Sequence, residues 1–332
     1  MTINPPRLKP GAGFLIACLL CIQSCTTVNQ SRQAQDPALA TLPSAVELTE
    51  TPFFPQTEHQ CGPAALATVL QSHNIEVTPE TLASQVYIPQ RKGSLQIEMS
   101  AAARRYAMLP YPLEPELSDL LKEIAAGNPV LVMQNLGLSW WPRWHYAVVI
   151  GYDISNNELL LRSGTIKRWQ TSLTAFENTW KRADKWALVI VPVGKIPETA
   201  GSASYLNTAY AFEETGLNSL ALTAYRAAAE RWPDDTTVWV TLGNMEYKAG
   251  NIDQAVSALI KASRLSPQSA MIWNNLAYAL HANGCTEQAM QSLQCAHRLS
   301  PADDNIRDSE QEISNLAVEN RLKQCPDIDC NQ

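Results

Sequence analysis

Phe53-Phe54-Pro55-Gln56-Thr57-Glu58-His59-Gln60-Cys61-Gly62-Pro63-Ala64-Ala65-Leu66-Ala67-Thr68-Val69-Leu70 is an extended apolar approach that turns into a helix with a cysteine in its first turn. Gly62 and Pro63 suit that junction, because proline is tolerated where a backbone N–H would have no intrahelical acceptor. The small and apolar residues from Ala64 to Leu70 predict a buried helix. A thiol at a helix N-terminus sits at the positive end of the macrodipole and among free N–H groups, which lowers its pKa. Cys61 is therefore a candidate nucleophile, although a buried structural cysteine fits the same feature taken alone.

Trp144-His145-Tyr146-Ala147-Val148-Val149-Ile150-Gly151-Tyr152-Asp153 supplies a partner, a histidine at the mouth of an apolar, β-branched strand. Cysteine first and histidine much later is the papain-like chain order. Both motifs resemble those of the bacteriocin-processing, double-glycine-cleaving peptidases and their stand-alone relatives. Gln60-Cys61-Gly62-Pro63-Ala64-Ala65-Leu66 is similar to that family's Asp-Cys-Gly-Pro-Ala-Ala-Leu, and the strand from His145 to Asp153 is similar to its histidine strand. The resemblance spans residues 50–193. It implies an α+β papain-like domain, a cysteine peptidase working through an acyl-enzyme, and no cofactor. It also implies a glutamine just upstream of the nucleophile, a place Gln56 fills with a spacing about one residue shorter than in the transporter-linked relatives. Its amide and the Cys61 backbone N–H would then be the two donors aimed at an oxyanion.

The third member departs from the resemblance. Asp153-Ile154-Ser155-Asn156-Asn157 reads as a turn between two strands, the second being Glu158-Leu159-Leu160-Leu161-Arg162-Ser163. The residue facing His145 then falls at 163–165. There the resembled family has an aspartate, whereas this chain has Ser163-Gly164-Thr165. A hydroxyl can fix the imidazole tautomer but cannot stabilise an imidazolium as a carboxylate does. Asp153, at the far end of the hairpin, ranks below Ser163.

At the N-terminus, Arg7 and Lys9 precede an apolar run from Gly11 to Ile22 that is too short to span a bilayer, as in an export signal. Ile22-Gln23-Ser24-Cys25 is similar to a bacterial lipobox, which implies cleavage after residue 24 and acylation of Cys25. Cys18 is a poorer candidate because less apolar chain precedes it. Residues 25–47 read as a flexible tether. The expectation is a cell-envelope lipoprotein facing the periplasm, on the outer membrane rather than the inner.

The 332 residues are enough for two domains with their own cores. The formal net charge is -7, and loss of Arg7 and Lys9 with the signal, which has no acidic residue, takes it to -9. That balance offers no basic patch for nucleic acid. Of eight cysteines, Cys285, Cys295, Cys325 and Cys330 cluster near the C-terminus, where an oxidising compartment allows two disulfides in three pairings. Their spacing is not that of a zinc module, and no metal is expected.

Within residues 48–193, helices are expected at 62–73, 78–87, 94–107, 116–126 and 171–182, and strands at 129–134, 145–152, 158–163 and 185–191. Leu136-Gly137-Leu138-Ser139-Trp140-Trp141-Pro142-Arg143-Trp144 is loaded with aromatics, which are expected to pack on the sheet edge and otherwise to wall a substrate groove. Residues 194–201 read as a linker. Beyond it a 34-residue period aligns Tyr205, Trp239 and Trp273, then Ala221, Ala255 and Ala289, Tyr225, Leu259 and Leu293, Ala228, Ala262 and Ala296, and Pro233, Pro267 and Pro301. This is the tetratricopeptide (TPR) pattern, giving repeats at 202–235, 236–269 and 270–303 in an all-α solenoid, with a capping helix at 304–322. Such arrays present a concave face to peptides or partner proteins. The functional expectation is an exported, lipid-anchored cysteine peptidase with a binding repeat domain. The alternatives are a catalytically weak peptide-binding scaffold and an amidase or acyltransferase acting on cell-wall peptides.

Overall fold

The computed structural model describes residues 39–56, 60–315 and 325–330. The expected export signal, Cys25 and the tether to residue 38 lie outside the described residues, as do Thr57, Glu58, His59 and the 316–322 end of the expected capping helix.

The N-terminal half is built on an antiparallel sheet in the order β4 (Met108–Pro112), β9 (Ala187–Pro192), β5 (Val130–Asn135), β6 (Trp144–Asp153), β7 (Glu158–Ser163) and β8 (Ile166–Ser172), with β1 (Ala45–Glu47) pairing to the far end of β6. A separate ribbon pairs β2 (Tyr87–Ile88) with β3 (Gly93–Ser94). Helices cover both faces, which is why β6 is buried without interruption from Tyr146 to Tyr152. On one face α1 (Cys61–Ser72), α2 (Pro79–Val86) and α3 (Gln96–Arg105) bring Leu66, Val69, Leu70 and Met99 onto Tyr146, Val148 and Ile150. On the other, α4 (Leu117–Ala125) and α5 (Leu173–Lys181) bring Leu120, Leu121, Ile124, Phe176 and Trp180 onto Ala147, Val149 and Leu161.

Besides the β2–β3 ribbon, three strands of the main sheet escape the sequence reading. β4 contains Pro110 and Pro112, residues that argue against a strand, and survives because it is an edge strand bonded only to β9. β8 is the opposite edge; most of its residues are exposed, so no buried face marks it. β1 is three residues long.

Three antiparallel helix pairs follow: α6 (Ser202–Glu214) with α7 (Asn218–Arg231), α8 (Thr236–Lys248) with α9 (Ile252–Leu265), and α10 (Ala270–Ala282) with α11 (Thr286–Leu299); α12 (Asp304–Asn315) lies against the last pair. Ala221, Ala228, Ala255, Ala262, Ala289 and Ala296 are fully buried, so small side chains do let the paired helices approach closely. Each turn within a pair places a glycine in the left-handed region, Gly216, Gly250 and Gly284 at φ +76, +79 and +81. The indole N–H of Trp239 donates to the Pro233 carbonyl and that of Trp273 to the Pro267 carbonyl, both at 2.8 Å, so the repeat extends to hydrogen bonds. The terminal cysteines pair Cys285 with Cys325 and Cys295 with Cys330, at Cα separations of 5.7 and 5.8 Å.

The segment expected as a linker is docked. Glu123, fully buried on α4, accepts from the Thr199 N–H at 2.8 Å and hydroxyl at 2.7 Å through one oxygen, and from Asn128 Nδ2 at 2.7 Å through the other. Asn128 Oδ1 in turn accepts from Lys195 Nζ at 2.6 Å. Every lone-pair direction of a buried carboxylate left open would cost more than a weak bond returns, so this satisfied network fixes the crossing between the halves. One core then runs from Leu109, Tyr111, Val189 and Val191 into Tyr205, Ala209, Phe212 and Tyr225 of the first repeat.

Candidate active site

Cys61 is the first residue of α1, half-buried, and a free thiol. The first intrahelical bond runs from Ala64 N to Gln60 O at 3.2 Å, and Pro63 has no N–H, so the amides of Cys61 and Gly62 stay outside the helical ladder. Gly62 must be glycine for space: a Cβ there would lie 2.5 Å from the Ser94 hydroxyl on β3. The helix runs onto β6, where the thiol meets the backbone of Tyr146, the residue after His145.

His145 Nε2 lies 2.9 Å from Ser163 Oγ. The β6–β7 ladder runs from Asp153↔Glu158 to Val148↔Arg162, with a bulge between Val149 and Gly151. Ser163 is one residue past that last pair, and the two side chains meet diagonally across one face. Asp153 is at the other end, where its carboxylate accepts from Asn156 N at 2.9 Å and Asn156 Nδ2 at 2.8 Å and so closes the turn. With Nε2 engaged by Ser163, Nδ1 is the imidazole nitrogen left for another partner.

Gln56 is held against the same corner. Its N–H donates to the Gly164 carbonyl at 2.9 Å, its Oε1 accepts from the Gly164 N–H at 3.0 Å, and its Nε2 donates to the Tyr146 carbonyl at 3.2 Å. The structure thus groups Gln56, His145, Tyr146, Ser163 and Gly164, with Cys61 against Tyr146.

Arg162 is a residue the sequence reading passed over. It is 4% exposed, and its guanidinium donates to the Thr51 carbonyl at 3.1 and 2.8 Å, the Thr49 carbonyl at 3.1 Å and the Lys167 carbonyl at 2.6 Å. It pins the chain leading to Gln56 onto β7, while the next two residues hold His145 and Gln56. An arginine in an apolar strand, one position before the predicted orienter, was the only signal.

Electrostatics correct one expectation. Burial pushes the Cys61 thiol up, outweighing the Tyr146, Gly62 and Cys61 backbone groups that favour the thiolate, so the helix terminus does not leave it acidic. Burial, then the charge of Arg143, pushes His145 down. Both shifts favour the neutral thiol and neutral imidazole over an ion pair. A raised thiol pKa delays the thiolate to higher pH, so Cys61 alkylation by iodoacetamide is expected to keep rising past about pH 8.5, an ordinary thiol's midpoint. A flat rate down to acidic pH, the mark of a thiolate–imidazolium pair, would contradict this account.

A second correction concerns the aromatic loop: Trp140, Trp141 and Trp144 do not pack on the sheet edge but are exposed.

Residues 48–188 match the model of the peptidase C39-like family, and residues 243–284 match that of a TPR repeat. Among solved structures, a protein described as a C39-like peptidase from Bacillus anthracis is 19% identical, with 47% of this chain and 100% of that one covered and a TM-score of 0.39. The peptidase domain of Streptococcus ComA, a bi-functional ABC transporter, is 18% identical over 43% of this chain and 99% of that one, TM-score 0.35. The first TPR of Spaghetti (RPAP3), bound to an HSP90 peptide, is 14% identical over 34% of this chain and 90% of that one, TM-score 0.33. No curated protein matches the chain at a significant level. The chain thus joins a peptidase C39-like domain to tetratricopeptide repeats, modules suited to binding proteins or peptides.

Proposed function

We propose that the protein is a cysteine peptidase in which Cys61 is the nucleophile, His145 the base and then the acid, Gln56 an oxyanion donor and Ser163 the group that orients the imidazole. The observation that carries this reading is the 2.9 Å contact between His145 Nε2 and Ser163 Oγ. If Ser163 accepts from Nε2–H, the imidazole is the tautomer whose Nδ1 lone pair is free to take a proton. Because both groups are neutral at rest, Nδ1 takes the Cys61 proton as sulfur attacks the peptide carbonyl carbon. The carbonyl oxygen gains the electron pair. The Cys61 N–H and the second amide proton of Gln56 are the donors for it. Collapse breaks the C–N bond, His145 returns its proton to the leaving amine, and a water activated by His145 hydrolyses the thioester.

The direct test is labelling with a peptidyl epoxide. Stoichiometric modification of Cys61, lost in Cys61→Ala and strongly slowed in His145→Ala, is expected; labelling at an unchanged rate without His145 would remove the base from the mechanism. The absence of a carboxylate at 163–165 and the raised thiol pKa favour one other reading, a weakly active domain that binds peptides. Full-rate thiol chemistry without turnover of any peptide or cell-wall substrate would select it.

The envelope location is part of the proposal and rests on the lipobox-like Ile22-Gln23-Ser24-Cys25. Cys25→Ser is expected to move the protein out of the salt-washed membrane fraction. If it remains there after the wash, Cys25 is not the anchor.

A further inference from the structure

Residues 136–143 connect β5 to β6 as a hairpin whose large side chains the core does not use. Leu138 and Trp141 bridge at its neck. Trp140 and Trp141, packed edge to face, are 78% and 70% exposed. Leu136, Leu138 and Trp144, and Ile166 and Trp169 of β8, are exposed too, at the end of the sheet that carries Ser163.

This hairpin is held by more than a passive connection needs. The buried Asn135 side chain accepts from the N–H groups of Gly137 and Arg143, both at 2.9 Å, and its amide donates to the Leu138 carbonyl at 3.4 Å. The Asn135 carbonyl accepts from Arg182 Nε and Nη2 at 3.2 and 2.9 Å. A Cβ on Gly137 would collide with the Trp141 carbonyl, so the chain closes tightly there. A buried amide and a guanidinium thus hold two indoles out in water, which costs free energy unless something covers them.

The charge of the strands flanking the hairpin in sequence runs against that of the whole chain. The protein is net negative, yet no aspartate or glutamate occurs from 134 to 152 or from 159 to 176. Arg143, Lys167 and Arg168 are exposed in those stretches, Arg168 being paired with Glu47 of β1. We propose that the hairpin and the start of β8 dock on an anionic phospholipid surface, with Trp140 and Trp141 at the headgroup level and Arg143 and Lys167 against the lipid phosphates. A peptide subsite is concave and encloses the side chain it reads. These indoles instead protrude from a hairpin tip, and an amphipathic ring beside cations suits a membrane interface. The surface would set the corner that holds His145 toward the membrane.

The test uses the purified full-length protein and vesicles of phosphatidylglycerol with brominated phosphatidylcholine, whose bromines quench nearby indoles. Wild type is expected to show a quenched component of its tryptophan fluorescence. That component should vanish in Trp140→Ser/Trp141→Ser, and fall at least about twofold in Arg143→Glu/Lys167→Glu, which keeps both indoles. Thermal melts matching wild type would show that these exposed substitutions leave the fold intact. No quenching in wild type, or equal fractional quenching in Trp140→Ser/Trp141→Ser, overturns the proposal. So does slower reaction of Cys61 with an apolar peptidyl epoxide in Trp140→Ser/Trp141→Ser, with iodoacetamide unaffected and no quenching in wild type; the hairpin would then be a substrate wall.

Discussion

His145→Ala is expected to lower kcat/KM for peptide hydrolysis by about 10²- to 10⁴-fold, the range a positioned general acid–base group contributes. The neutral pair makes this loss large, because burial withholds the thiolate at neutral pH and no other group described at this corner can take the proton. Ser163→Ala should cost far less. A neutral hydrogen bond is worth about 0.5–1.5 kcal/mol, a factor of roughly 2 to 13 in rate, and the hydroxyl brings no charge to hold an imidazolium. Ser163→Asp should leave activity unchanged or raise it if the fold accepts the charge, since a carboxylate would pull the His145 pKa back up. Asp153→Ala should leave kcat unchanged, because that carboxylate closes the distant turn through Asn156. Steady-state kinetics on the four variants, with thermal melts to establish folding, checks the series. Loss of all activity in a folded Ser163→Ala protein would overturn the weak-orienter account, and the same loss in Asp153→Ala would overturn the assignment of Ser163.

Reducing the two C-terminal disulfides is expected to have the largest effect on stability, confined to the end of the repeat array. The bridges close segments 40 and 35 residues long. In the chain-entropy model a loop of that size contributes about 4 kcal/mol, and two overlapping loops less than twice that. The effect should stay local, because Ala255, Leu259, Trp273, Leu276, Leu280, Leu293 and Ile306 form a cluster separate from the core shared by the sheet and the first repeat. In a calorimetric scan, a reductant or the Cys325→Ser/Cys330→Ser variant should split off an earlier transition while the remaining one keeps its midpoint. If the whole protein melts earlier as one transition, the array is coupled to the sheet more tightly than these clusters imply.

Much of the architecture is legible in the chain because it repeats or is local. The 34-residue columns of alanine, aromatic and proline predict paired helices, and the pairs form where a buried alanine leaves room for the facing helix. Cys61-Gly62-Pro63 predicts a helix start, since that feature needs only neighbours in sequence. Ser163 facing His145 could be read as well, because an antiparallel hairpin with a recognisable turn ties register to counting.

What needed the folded molecule is of another kind. The Cys61 thiol has its helix terminus, as local reasoning requires, yet its pKa moves the other way, because burial depends on α1 lying against β6 and not on any nearby residue. Arg162 reads as one charge in a strand, and only the crossing of residues 49–51 over β7 gives its guanidinium carbonyls to hold. Glu123 falls in a stretch legible only as a helix, 116–126, and it is Thr199, 76 positions on, that makes its burial tolerable. The tryptophans of the 136–143 hairpin carry no sequence mark that separates a packed aromatic from an exposed one. The sheet decides, because it ends at Trp144 and leaves the hairpin beyond it uncovered among the described residues. Periodicity and chain neighbours determine which elements form, whereas burial of a charge or an indole is a property of elements distant in sequence, and so only the tertiary structure decides it.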